Sequence, residues 1–340
     1  MSFPVRPTIL GLLALAAFGC GDASAAPTRP EDTPALPAET EPAVEPGASE
    51  AAPPDLSPVQ SWVEAQIELA RRGFSGGSID GLRGPQSVAA LRAFQRGEGL
   101  AETGELDQPT RESLLLTAPA FAPHVFTSEE LAKPRALPET WLGKSEAATL
   151  TYATPLEAVA ERYHASPNFL KKLNPNVNWS DLLPGITIKV PAVERATLSG
   201  HAVKLHVRLG QHELEATDDT GRVIAHFPVS IARNVEKRPV GELHVTVVIP
   251  DPNYTFDPEV FPESPEGKTL GRKLVVPPGP NNPVGVAWIG LDRTGYGIHG
   301  TPDPEKVGRT ESHGCFRLAN WDALTLLNLA WVGLPVIVEP

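Results

Sequence analysis

The 340-residue sequence contains only two cysteines, Cys20 and Cys315. That excludes a disulfide framework, and if Cys20 belongs to an N-terminal signal, Cys315 has no intrachain partner. The apolar run "ILGLLALAAFG" at 9–19 is too short to span a bilayer as a stable helix. Excess positive charge is also missing. The formal net charge is −12, which argues against nucleic acid as the main partner, because phosphate binding wants a basic field. Residues 21–55 lack any aromatic side chain and set eight acids against Arg29 alone. Such a segment buries too little apolar surface to offset ordering entropy, so it is expected to be disordered. Its prolines and like charges favour an extended tether that reaches on the order of 100 Å, at about 3.1 Å per residue.

The N-terminus reads as an export signal: Arg6 precedes the apolar run, which ends in small residues before Cys20. It resembles a bacterial lipoprotein signal, in which the cysteine thiol is lipidated and becomes the new N-terminus. That implies export to the cell envelope or periplasm, with a membrane anchor at Cys20. The other reading is ordinary secretion with cleavage after "ASA" at 23–25, which discards Cys20. The organisation therefore begins with a signal at 1–20 and a Pro/Ala/Glu linker at 21–56.

Residues 57–116 read as an all-α three-helix module. Ser57 is placed to cap a first helix with Pro58 at its first position, and Val59, Val63, Ile67 and Ala70 recur on one face. Gly73 ends that helix, a second starts near Pro85, and a third follows Asp107. The stretch "LARRGFSGGSIDGLRGPQSVAALRAFQRGEGLAETGELDQPTRESLL" resembles the small peptidoglycan-binding module over nearly its full length; the bland reading is a helical spacer. Residues 148–192, with "PLEAVAERY", "LKKLNP" and "LLPGITIKVP", resemble a LysM module, a βααβ unit that grips glycan strands. The glycine-aspartate-threonine usual at its first turn is replaced by Ala153 to Pro155. Residues 117–147, with four prolines, read as a connector.

Residues 200–340 are strand-rich. "AVKLHVRLGQHELEATD", "RVIAHFPVSIA" and "ELHVTVVIP" alternate with period two, and residues 218–221 make a turn. Near the end, "NWDALTLLNLAWVG" predicts a helix capped by Asn320, with Trp321, Leu324, Leu327 and Trp331 on one face; "LPVIVEP" closes as a strand. A mostly β domain with one C-terminal helix follows, in a chain that is multidomain overall.

The chemistry concentrates in "IHGTPDPEKVGRTESHGCFRL" at 298–318. Cys315 can be a nucleophile, a metal ligand or an inert buried residue. A thiol becomes a nucleophile when an imidazole takes its proton, and His299 and His313 are the nearby candidates. Gly314 allows a bend in which its N–H and that of Cys315 face a developing oxyanion. Zinc at His299, His313 and Cys315 would lack further ligands at the usual spacing.

"IHG…SHGCFRL", with "PPGPNNPVGVAWIGL" at 277–291, resembles the signature of the L,D-transpeptidases of the YkuD type. The resemblance covers about residues 200–340 and implies a mostly β catalytic domain. It implies Cys315 as the nucleophile, His299 as its base and the Gly300 carbonyl as the group that orients the imidazole. His313 and Gly314 would shape the oxyanion side, Arg317 would meet a substrate carboxylate, and Ser312 would support the loop. No metal or organic cofactor is implied, and the partners are peptidoglycan stem peptides and glycan strands. The expected product is a 3→3 cross-link formed through a thioester with release of D-alanine. Alternatives are an L,D-carboxypeptidase or endopeptidase, a transferase that attaches proteins to the wall, and a non-catalytic wall-binding lipoprotein. Trp288 and Tyr296 are read as strand core rather than cleft.

Overall fold

Helix capping organises the first module. The computed structural model describes residues 56–340 except 194–197, 199–200, 262–263 and 311–313. The expectations for 1–55, including Cys20, lie outside the described residues, as do Ser312 and His313. Strand β1 (Ser57–Pro58) precedes α1 (Trp62–Arg71), α2 (Pro85–Gly97), α3 (Gln108–Ser113) and β2 (Leu115–Leu116). The first helix is capped by Ser61, not Ser57. Ser61 Oγ accepts from the Glu64 N–H while the Glu64 carboxylate accepts from the Ser61 N–H, and this reciprocal box outcompetes a start at Pro58. Ser57 and Pro58 pair instead with Leu116 and Leu115.

The periodic stripe on α1 faces outward from its own module. Ala65 and Leu69 pack on Ala90, Leu91 and Phe94, whereas Val63, Ile67 and Ala70 meet Ile79, Phe121, Phe169 and Val193. The helix thus buries two faces, one of them against the next unit.

That unit comprises β3 (Phe121–Val125), α4 (Ser128–Ala132), α5 (Trp141–Glu146), α6 (Pro155–Arg162), α7 (Pro167–Leu173) and β4 (Thr187–Pro191). Here the structure differs from the sequence reading. The partner of β4 is β3, inside the stretch read as connector, rather than a strand within 148–154. The backbone near Leu150 is engaged elsewhere: its N–H donates to the Pro278 carbonyl, and its carbonyl accepts from the Asn281 N–H. Those are the groups a strand would have needed.

The last unit is built from β5 (Lys204–Arg208), β6 (Glu213–Thr217), β7 (Val223–Pro228), β8 (Gly241–Pro250), β9 (Tyr254–Phe256), α8 (Pro265–Leu270), β10 (Leu274–Val276), β11 (Ala287–Leu291), β12 (Gly297–His299), β13 (Phe316–Arg317), α9 (Asn320–Leu329) and β14 (Pro335–Glu339). Eight of its strands form one sheet in the order β13-β12-β11-β8-β14-β5-β6-β7, and β9 pairs with β10 as a separate hairpin. Helix α9 is capped by Ala319 and begins at Asn320. Its fully buried core face is Ala323, Leu326 and Leu329, with Leu324 and Leu327 of the predicted row packed partly buried against the same core; Trp331 lies beyond the helix and is exposed. Trp321 faces away from the sheet core and stacks on His164 at 5.2 Å.

All described residues fall in one unit, Pro53–Pro340. The modules are welded rather than strung together. Gly73 to Ser75 cover the edge strand β7 through two backbone hydrogen bonds with His226, which removes an exposed sheet edge. Arg96 on α2 pairs with the buried Glu215 on β6, and Val223 completes the helical module's own core.

Candidate active site

Strand register brings the predicted residues together. β12 and β13 run parallel, with His299 opposite Arg317 and Ile298 opposite Phe316. Side chains alternate across a sheet, so Ile298 and Phe316 point into the core while His299 and Arg317 share the opposite face. Cys315 lies in the bend just before β13: its thiol donates to the Gly295 carbonyl at 3.5 Å, contacts the backbone of Gly297 and feels the Arg317 charge.

His299 is buried, and its Nδ1 donates to the Gly300 carbonyl at 2.6 Å. That bond assigns the proton to Nδ1 and leaves the Nε2 lone pair available. Burial pushes the imidazole down to about 4; the Gly300 carbonyl opposes this and the Arg317 charge adds to it. Cys315 is partly buried, and burial raises its thiol above the ordinary range, against smaller downward effects of the Gly297 backbone and Arg317. Near neutral pH the resting pair is therefore neutral imidazole and neutral thiol.

The same face carries Trp288, which the sequence reading placed in the strand core. Trp288 on β11 stands opposite His299 in register and stacks on its ring, with centroids 5.7 Å apart. Its indole lies over Gly297 and Gly290: a Cβ at Gly297 would sit 2.6 Å from its Cζ2. Glycines inside strands signal such close approach, and that pattern was readable in advance. Tyr296 instead packs against the core. Tyr254 on β9 is pushed up to about 12, by burial first and then by proximity to Cys315, so the β9–β10 hairpin borders the thiol. Trp141 on α5 stacks on Phe256 at 4.4 Å and backs this hairpin.

Among the described residues, a Cβ at Gly314 would meet nothing within 4 Å. Among the described residues, Glu213, Glu215 and His226 approach as a metal site would, yet Arg96 and Arg208 already hold the Glu215 oxygens.

Residues 202–338 match the family model described as "L,D-transpeptidase catalytic domain", and residues 59–114 match "Putative peptidoglycan binding domain". The "Putative L,D-transpeptidase YkuD" of Bacillus licheniformis is 24% identical over 194 residues, covering 54% of this chain and 93% of that protein. The "Putative L,D-transpeptidase YqjB" of Bacillus subtilis is 32% identical over 117 residues, covering 33% of this chain and 57% of that protein. A solved L,D-transpeptidase 3 from Mycobacterium tuberculosis aligns at a TM-score of 0.33 and 20% identity, covering 47% of this chain and 77% of that one. From the two family matches, the chain carries a YkuD-type L,D-transpeptidase catalytic domain at 202–338 joined to a peptidoglycan-binding domain at 59–114.

Proposed function

We propose that this protein forms 3→3 peptidoglycan cross-links through a thioester on Cys315. What supports the reading is the pairing of β12 with β13, which sets Cys315 two residues before the partner of His299 with its thiol against the Gly295–Gly297 backbone, and an Nδ1 bond to Gly300 that leaves the Nε2 lone pair available.

Cys315 Sγ attacks the carbonyl between the L-centre of the third stem residue and D-alanine as His299 Nε2 takes the thiol proton. The tetrahedral oxyanion is met by the N–H groups of Gly314 and Cys315. Collapse breaks the C–N bond, and His299 returns its proton to the departing D-alanine amine. An amine of a second stem then attacks the thioester, gives its proton to His299, and the thiol is regenerated. Arg317 meets a substrate carboxylate, while His313 and Ser312 support the oxyanion loop. The LysM-like unit and the helical module hold glycan strands at a set distance from the thiol, and lipidation of Cys20 holds the chain at a membrane.

Incubation of the protein with disaccharide-tetrapeptide, followed by mass spectrometry, tests this. A dimer that has lost one D-alanine supports it; tripeptide alone means hydrolysis. No adduct at Cys315 and no turnover would leave a wall-binding protein. Sedimentation of the full-length Cys315→Ala variant with purified sacculi tests glycan binding separately.

A further inference from the structure

We infer that Glu161 of the middle unit, acting through Asn320, is a positioning residue for the His299–Gly300 element of the catalytic domain. This rests on the reading above, in which His299 activates Cys315.

Asn320 opens α9 three residues after Arg317 and is fully buried. Its carboxamide is spent on three residues from two segments. Oδ1 accepts from the Val286 N–H at 3.3 Å, and Nδ2 donates to the Pro280 carbonyl at 3.0 Å and to both Glu161 oxygens at 3.0 and 3.2 Å. The same Oδ1 sits against bare backbone: a Cβ at Gly285 or Gly300 would fall 2.1 or 2.2 Å from it. Gly300 is the residue whose carbonyl accepts the hydrogen bond from His299 Nδ1. Moving the amide of Asn320 therefore moves the peptide that orients the imidazole.

Glu161 sets where that amide rests. It lies on α6, outside the catalytic domain, and Tyr152 Oη donates to its Oε1 at 3.0 Å. Beside it, Asn281 Nδ2 donates to the Glu157 carboxylate at 2.7 Å and to the Thr151 carbonyl at 2.9 Å, which ties the 280–286 segment to α6. Burial pushes Glu161 up to about 7, despite the hydrogen bonds from Asn320 and Tyr152 that favour its anion. A buried carboxyl retained at that cost, with two donors aimed at it, is built to hold something in place. What it holds is the segment that touches Gly300.

The test uses the full chain with Glu161→Ala, Glu161→Gln, Asn320→Ala and His299→Ala, and measures kcat and KM for tetrapeptide conversion and the rate of Cys315 alkylation by iodoacetamide. His299→Ala is the control on the underlying reading. If it leaves both rates at the wild-type level, His299 is not the base and that reading fails, whatever Glu161 does. If His299→Ala abolishes turnover, Glu161→Ala and Asn320→Ala should each lower kcat by about tenfold or more with KM little changed, since small displacements of a catalytic group cost that much. Glu161→Gln keeps an acceptor oxygen and should stay within about threefold of wild type, which a general loss of packing would not predict. Should Asn320→Ala fail to fold, the Glu161 pair decides alone. Wild-type kcat in Glu161→Ala, an effect on KM only, or equal losses in Glu161→Ala and Glu161→Gln would each overturn the inference.

Discussion

Asp322 offers a quantitative test of how the helical module is joined to the catalytic domain. It lies buried in the first turn of α9, where Ser75 Oγ from the helical module donates to its Oδ2 at 3.0 Å. Burial raises its carboxyl from the ordinary 3.8 to about 8, and the Ser75 bond offsets only part of this. The folded state therefore binds a proton that the unfolded chain releases near pH 4. The associated stability is fully present below about pH 4 and is lost as pH rises toward 8. At about 1.36 kcal/mol per unit, the loss between pH 5 and pH 8 is roughly 3–4 kcal/mol. The α9 dipole favours the anion by about 0.3–1 kcal/mol, which leaves roughly 3 kcal/mol. Asp322→Asn keeps an acceptor for Ser75 and cannot titrate. Urea unfolding followed by tryptophan fluorescence at pH 5 and pH 8 should show that this variant lacks roughly 3 kcal/mol of the wild-type pH dependence. Parallel pH dependences in the two proteins would refute a buried, protonated Asp322 at this junction.

The other predictions concern the site and the shared core. Because burial holds His299 near 4, the acid limb of kcat/KM should fall near pH 4 to 5; a limb at pH 6 to 7 would mean that the imidazole is solvated. Gly297→Ala forces the Trp288 indole away from its place over the glycine, and such overpacking costs about 1–3 kcal/mol. The thermal midpoint and kcat should fall together, and wild-type kcat in this variant would show that the Trp288–His299 stack does not matter. Ile67→Ala empties a fully buried position between the helical and middle units and should destabilise by about 2–5 kcal/mol in urea unfolding. A change under about 1 kcal/mol would mean that this contact is not a packed core.

Several local features were legible in the sequence because short-range chemistry sets them. The starts of α2 at Pro85 and α3 after Asp107 follow from proline geometry and an Asp side chain that accepts from Thr110 N–H. The period-two alternation marked β5 to β8 as strands, although only β5 is half-buried; β6 and β7 are covered on both faces and β8 is largely exposed. Ser57 was misleading because a serine before a proline and a serine three residues before a glutamate both read as helix starts. Only the second satisfies two backbone donors at once. The rows on α1 and α9 each divide between neighbours, Val59 from Val63, Ile67 and Ala70 and Leu324 and Leu327 from Trp321, since period alone does not say which unit covers a face.

By itself the sequence narrowed which chemistry is possible: a thiol at 315 with imidazoles at 299 and 313, and glycines at 300 and 314. The tertiary structure decided how that chemistry is held. It set the pairing of β12 with β13, the Trp288 indole over two glycines, and the link from Glu161 to Asn320 across 159 residues of chain. Motif spacing and caps act within a turn or two and are written locally. Burial, strand partners and carboxyls held neutral depend on groups far away in the chain, and only the packed molecule brings those together.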